Sequence, residues 1–156
     1  MIEQTNLSFN QPKLIIYTFR TNKLAGQFLE SAGLSLNVSV FVIDKPNEDI
    51  PKLLSLIGSA KPDWVVGFAA TKNKSRWEEY AINRFGKGRV SKSFAIDAKL
   101  KLSKPDFLKS ISEIGMGQGM STSFCNQAAF RVQEYANSII EQNMLSIQGG
   151  FLHLQA

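Results

Sequence analysis

Cysteine and histidine are almost missing from this chain, which holds one of each, Cys125 and His153, among 156 residues. A single cysteine cannot close an internal disulfide, so the sequence predicts a reducing compartment, with the cytoplasm as the simplest setting. No apolar run approaches the roughly 18 residues that cross a bilayer. The first dozen residues, MIEQTNLSFNQP, lack the positively charged start and apolar stretch of a secretory leader. Low-complexity tracts and internal repeats are also absent. These absences predict a cytoplasmic protein that is soluble and has no membrane partner.

What is present is ordinary for a globular domain: 44% hydrophobic, 20% charged and 10% aromatic residues. The length fits one domain, 1–156, built on a single core. The formal net charge is +5, and 11 of the 18 Lys and Arg fall between Lys72 and Lys109. Only Glu78, Glu79, Asp97 and Asp106 oppose them there. Such a bias attracts anions, but the basic residues are spread over several predicted elements and form no nucleic-acid motif. A solvated basic face is the favoured reading, and nucleic acid is an unlikely partner.

The pattern along the chain alternates strands and helices. KLIIYTF from Lys13, SVFVID from Ser39 and WVVGFAA from Trp64 read as strands, the last of them central by its continuous apolarity. KLAGQFLESAG (23–33) and IPKLLSLIGSA (50–60) read as helices, with Pro46 to Asp49 as a turn between elements. SRWEEYAINRFG (75–86) is predicted as a helix capped by Ser75, with Glu78 in capping-box register. Strand or extended structure is expected around Arg89 to Ile96, and then a helix over 104–115 ended by Gly115. After a predicted strand, MSTSF, residues Ala128, Ala129, Val132, Tyr135, Ala136, Ile139 and Ile140 repeat with a helical period. GGFLHLQA reads as a final strand. The alternation implies an α/β sheet covered on both faces.

Cys125 therefore sits where a helix begins. Unpaired N–H groups and the helix dipole there favour an anion, so its thiol is expected to ionise more readily than a mid-helix one. Set against this, a free cysteine also packs well as a small buried hydrophobe. His153 has the pKa range of a base suited to a thiol, yet a lone histidine on a strand is often only a hydrogen-bonded structural residue.

Three segments, SFCNQAAF, GGFLHL and EEYAIN, taken together and in this place after PDWVVGFAA, resemble the pyroglutamyl peptidase I family of cysteine peptidases. The matching positions are Cys125 with Asn126, His153 after Gly150, Phe151 and Leu152, and Glu78 ahead of Ala81, Ile82 and Asn83. The resemblance implies an α/β fold of three layers, α/β/α, around a mixed central sheet. It also implies a catalytic set of Cys125 as nucleophile, His153 as base and Glu78 as the group orienting the imidazole. No metal or cofactor is implied, and the substrate would be a small peptide or amide.

Departures cluster where the family holds its substrate. YTFRTNKLAG replaces the family's aromatic loop after the first strand, with Phe19 matching one aromatic. Phe68 stands where the family has Gln in a Gly-Gln-Ala segment, and Gln155 replaces a proline after the catalytic His. Arg89 falls near a family arginine but out of register. The sequence ends three residues past His153, where the family continues into a helix, so a homo-oligomer covering that face is a further expectation. Phe19, Phe68 and Arg89 are thus candidate substrate-binding residues. The sequence predicts a cysteine hydrolase of altered or weakened specificity; the alternative is an inactive protein of the same fold serving in binding or assembly.

Overall fold

Six strands join in one mixed sheet in a computed structural model that describes residues 13–20, 38–105, 113–118, 120, 123–143 and 146–155. They are β1 (Leu14–Phe19), β2 (Val38–Ile43), β3 (Trp64–Thr71), β4 (Arg76–Glu78), β7 (Met116–Gly117) and β8 (Gln148–Gln155). Their spatial order is β2-β1-β3-β8-β4-β7. The first four of that order run parallel, β4 is antiparallel to β8, and β7 is parallel to β4. Two short strands, β5 (Tyr80–Ile82) and β6 (Lys99–Lys101), form a separate antiparallel pair. The described helices are α1 (Pro46–Ala60) and α2 (Phe124–Asn143).

The central strands are buried from both sides, which is why β1 and β3 read as unbroken apolar runs rather than alternating ones. Ile15, Tyr17, Val65, Ala69 and Phe151 face the helices, packing with Ile50, Leu53 and Ile57 of α1 and with Ala128, Val132 and Ala136 of α2. Leu14, Ile16, Val66, Phe68, Trp77 and Leu152 form a second buried cluster. Successive residues of a strand point to opposite faces, so the two clusters lie on opposite sides of one sheet.

Local readings fared unevenly. Pro46 to Asp49 is the first turn of α1 rather than a separate turn. Proline is well placed at a helix start because its missing N–H would have no partner there. The Asp49 carboxylate accepts N–H bonds from Lys45 and Asp44, both 2.8 Å, and these bonds hold its pKa below the ordinary carboxylate value. The helix over 75–86 does not form. Trp77 is driven into the second cluster and pairs with Leu152 across β4 and β8, and this long-range burial outweighs local helix preference. Ser75 caps nothing; its Oγ accepts the Gln155 N–H at 2.8 Å.

Arg89 to Ile96 holds turns and no strand. The buried Asn83 organises it, donating from Nδ2 to the carbonyls of Ser91, Phe94 and Ala95 at 2.9–3.0 Å and accepting the Ser91 N–H at 2.8 Å. The helix expected over 23–33 lies outside the described residues, as does most of that over 104–115, whose described ends are not helical. Of the strand expected over MSTSF, Phe124 belongs to α2 instead, and residues 121–122 lie outside the described set.

Asn126, fully buried in the first turn of α2, ties that helix to the chain after Glu78. Its Oδ1 accepts the Ile82 N–H at 2.8 Å, and its Nδ2 donates to the carbonyls of Ile82 at 2.8 Å and Arg84 at 2.9 Å. Asn126→Ala would leave three backbone groups without these partners. We expect it to cost about 2–4 kcal/mol, read as a lowered urea midpoint with an unchanged slope. A loss below a few tenths of a kcal/mol would show that the clamp is dispensable.

Candidate functional site

The parallel strands β1, β3 and β8 all end on the same side of the sheet, the side where α/β proteins place their ligands. His153 lies near the end of β8, opposite Ala69 of β3. The start of α2 reaches the same level. A Cβ on Gly149 would press on the Gln133 side chain, so these two positions are side by side. From there, eight residues back along the helix to Cys125 cover about 12 Å, and four residues forward along the strand to His153 cover about 13 Å. The Glu78 charge acts on the Cys125 thiol and Glu78 holds His153, so Cys125 and His153 both lie near this one carboxylate.

Glu78 meets His153 directly. The register sets Arg76 opposite His153 and Trp77 opposite Leu152, so Arg76, Glu78 and His153 share the helix-facing side while Trp77 and Leu152 point away. The Glu78 carboxylate, only 1% exposed, holds His153 Nδ1 at 2.8 Å through Oε1. The same oxygen accepts the Arg76 Nε–H at 2.7 Å. An ionised carboxylate can only accept, so the proton of this bond sits on Nδ1, and in the neutral form of the ring the lone pair is on Nε2. The Phe151 ring, with its centroid 4.9 Å from that of the imidazole, packs on one side of it.

Cys125 is half-buried and packs against the helix-facing cluster. Burial pushes its thiol up to about 11, and the Glu78 charge pushes in the same direction, while a backbone N–H at the helix start only partly offsets them. The easy ionisation expected at a helix start is therefore overturned: desolvation outweighs the helix terminus here. Tyr17 is raised well above the ordinary phenol value, first by burial and then by the Cys125 charge. Tyr17 and Phe151 meet edge to face at 6.0 Å between centroids. Gly67 makes room for both, since a Cβ there would collide with each ring.

The remaining sequence candidates separate. Phe19 is partly buried at the end of β1, against the same cluster as Cys125. Phe68 is fully buried on the other face, with Leu14, Ile16 and Trp77, where it fills core rather than a pocket. Arg89 is exposed and donates to the Phe94 carbonyl at 3.3 Å. A cleft of about 250 Å³ opens beside Glu78, lined also by Tyr80, Ile82, Gln118 and Met120. Arg76 and Tyr17 were missed in the sequence; the i, i+2 spacing of Arg76 and Glu78 marks one strand face only once β4 is known to be a strand. Among the described residues, no group of His, Cys, Asp and Glu is arranged to hold a metal ion, and no helix is long and apolar enough to cross a membrane.

No protein-family profile and no curated protein sequence matches this chain. Solved structures do. Pyroglutamyl peptidase I from Bacillus amyloliquefaciens superposes with a TM-score of 0.67 at 16% identity, covering 93% of this chain and 82% of that one. The pyrrolidone carboxyl peptidase from Thermococcus litoralis gives 0.64 at 15% identity, over 93% and 77%. That from Thermus thermophilus gives 0.64 at 11% identity, over 91% and 84%. The chain has the α/β fold of these peptidases, with its mixed sheet.

Proposed function

We propose that this chain is a cytoplasmic cysteine hydrolase acting on an N-terminal pyroglutamyl group or a related small amide, with weakened specificity. The carrying observation is the buried Glu78–His153 bond of 2.8 Å, whose carboxylate also acts on Cys125 in the first turn of α2. In this reading Glu78 keeps the Nδ1–H tautomer, so Nε2 accepts the Cys125 proton as sulfur attacks the amide carbonyl carbon. The oxyanion forms near the N–H groups that open α2. Collapse of the tetrahedral species breaks the C–N bond, and the departing amine takes the proton from Nε2. A water molecule, deprotonated by the same nitrogen, then hydrolyses the thioester to a carboxylic acid and restores the thiol.

One observation favours the inactive alternative: a thiol pushed up to about 11 is almost wholly protonated at neutral pH. The active reading meets it by coupling proton transfer to attack, so that no free thiolate accumulates. Hydrolysis of pyroglutamyl-aminomethylcoumarin separates the two. Slow turnover is expected, abolished in Cys125→Ala and reduced about 10²–10⁴-fold in His153→Ala. Turnover that survives in Cys125→Ala would sink the proposal, and no turnover in the parent protein would favour the binding or assembly role.

Iodoacetamide alkylation of Cys125 reports the thiol itself. The thiolate is the reactive form, so the rate should be low at pH 7 and climb with pH toward a midpoint of about 11. Glu78→Gln removes a charge that opposes ionisation, so the midpoint should move down even as hydrolysis falls. An upward or absent shift would contradict the assigned electrostatics.

Arg76 shares the Glu78 oxygen with His153 and so draws on the same negative charge. Arg76→Gln should strengthen the remaining bond, moving the Nδ1–H resonance of the sole histidine downfield in proton NMR. An upfield movement would mean that Arg76 orients Glu78 rather than competing for it.

A further inference from the structure

A second depression lies beside the Glu78 cleft, about 410 Å³ in volume, lined by Glu79, Tyr80, Lys99, Lys101, Leu102 and Met116. Tyr80 belongs to both walls, so the two spaces are neighbours across one side chain. The antiparallel register places Lys101 directly opposite Tyr80 and Lys99 opposite Ile82, two residues along on the same face of the small sheet. The Lys99 ammonium stands 4.4 Å from the centroid of the Tyr80 ring. This cation–π contact fixes the position of the charge without supplying an anionic partner.

Among the described residues, neither lysine forms an ion pair. The one carboxylate in the lining, Glu79, is bonded elsewhere: its Oε2 accepts from Gln118 Nε2 at 3.2 Å, and Gln118 lines the cleft on the Glu78 side. Leu102 is buried and Met116 is 42% exposed, so the groove combines an apolar wall with two ammonium groups that form no ion pair among the described residues. That combination suits an extended chain bearing a carboxylate, with aliphatic contacts along the wall and charge-assisted hydrogen bonds from the lysines.

We propose that this groove is a subsite for a carboxylate on the part of a peptide beyond the cleaved bond, held by Lys99 and Lys101 across Tyr80. The assignment rests on the hydrolase reading for the placement of the cleaved bond, but not for the binding of the carboxylate. A peptide entering the Glu78 cleft would pass over Tyr80, and its next acidic side chain or its free C-terminus would meet the two ammonium groups. Glu79 would disfavour a basic residue less than the lysines favour an acidic one, because its charge is turned toward Gln118.

The test is direct binding to Cys125→Ala protein, read by fluorescence anisotropy with pyroglutamyl tripeptides that carry the same neutral fluorophore. One peptide has Asp at its second position and an amidated end; a second has Ala there and a free terminal carboxylate; controls have Ala or Lys there with amidated ends. A carboxylate peptide is expected to bind roughly ten-fold more tightly than the neutral one, the scale of a single charge-assisted hydrogen bond. Which of the two carboxylate peptides shows the gain identifies the source of the charge. The preference should shrink with added salt and vanish in Lys99→Ala/Lys101→Ala, while the neutral peptide binds as before. Replacing the pyroglutamyl group by acetyl separates the two ideas: a retained carboxylate preference without turnover by the parent protein keeps the groove and removes the hydrolase. Equal binding of all peptides, no binding, or a preference that survives the double substitution overturns the subsite.

Discussion

A carboxylate with 1% of its surface exposed can remain charged inside a sheet only if donors replace the water it has lost. At Glu78 two of them converge on one oxygen, Arg76 from its own strand and His153 from the next. The antiparallel pairing of β4 with β8 is what makes this possible, because it sets Arg76 and His153 opposite each other. β4 in turn is held by Trp77, fully buried beneath the site with Phe68 and Leu152. Much of the local architecture is thus a support for one buried negative charge.

That charge acts in two directions. It fixes the imidazole tautomer whose free nitrogen can receive a proton, and it discourages the nearby sulfur from ionising on its own. The thiol is held in its neutral form rather than as a preformed thiolate. Tyr17, buried and kept protonated by the same desolvation, adds no charge of its own. Burial and the Glu78 carboxylate thus act together to keep the sulfur protonated.

How far this could be read from the sequence depended on the range of the interactions. β1, β3 and α2 follow from patterns within a few residues, and most of their apolar positions are buried. The 75–86 segment misled because its true partners are remote: Trp77 pairs with Leu152, and Glu78 with Gly117 and His153. A local rule saw Ser75 and Glu78 as a helix cap, whereas the sheet needed the second as a buried acceptor. Pro46 was read as a turn although proline also opens helices. The union of Glu78 with His153, 75 residues apart, was reachable only through the resemblance of three short motifs. Arg76 was invisible to it, since its importance lies in a strand register. Phe68 seemed a substrate contact by its place in a motif, but strand alternation turns it to the other side.

Asn126 follows Cys125 directly, and its amide is bonded to the backbone at Ile82 and Arg84. Ile82 is also a wall of the cleft beside Glu78. The turn that carries Cys125 and a wall of the cleft are therefore tied together through the three hydrogen bonds of one amide. A substitution that shifts the backbone at Ile82 would therefore strain the start of α2 as well, whereas one confined to a cleft side chain would leave these bonds in place.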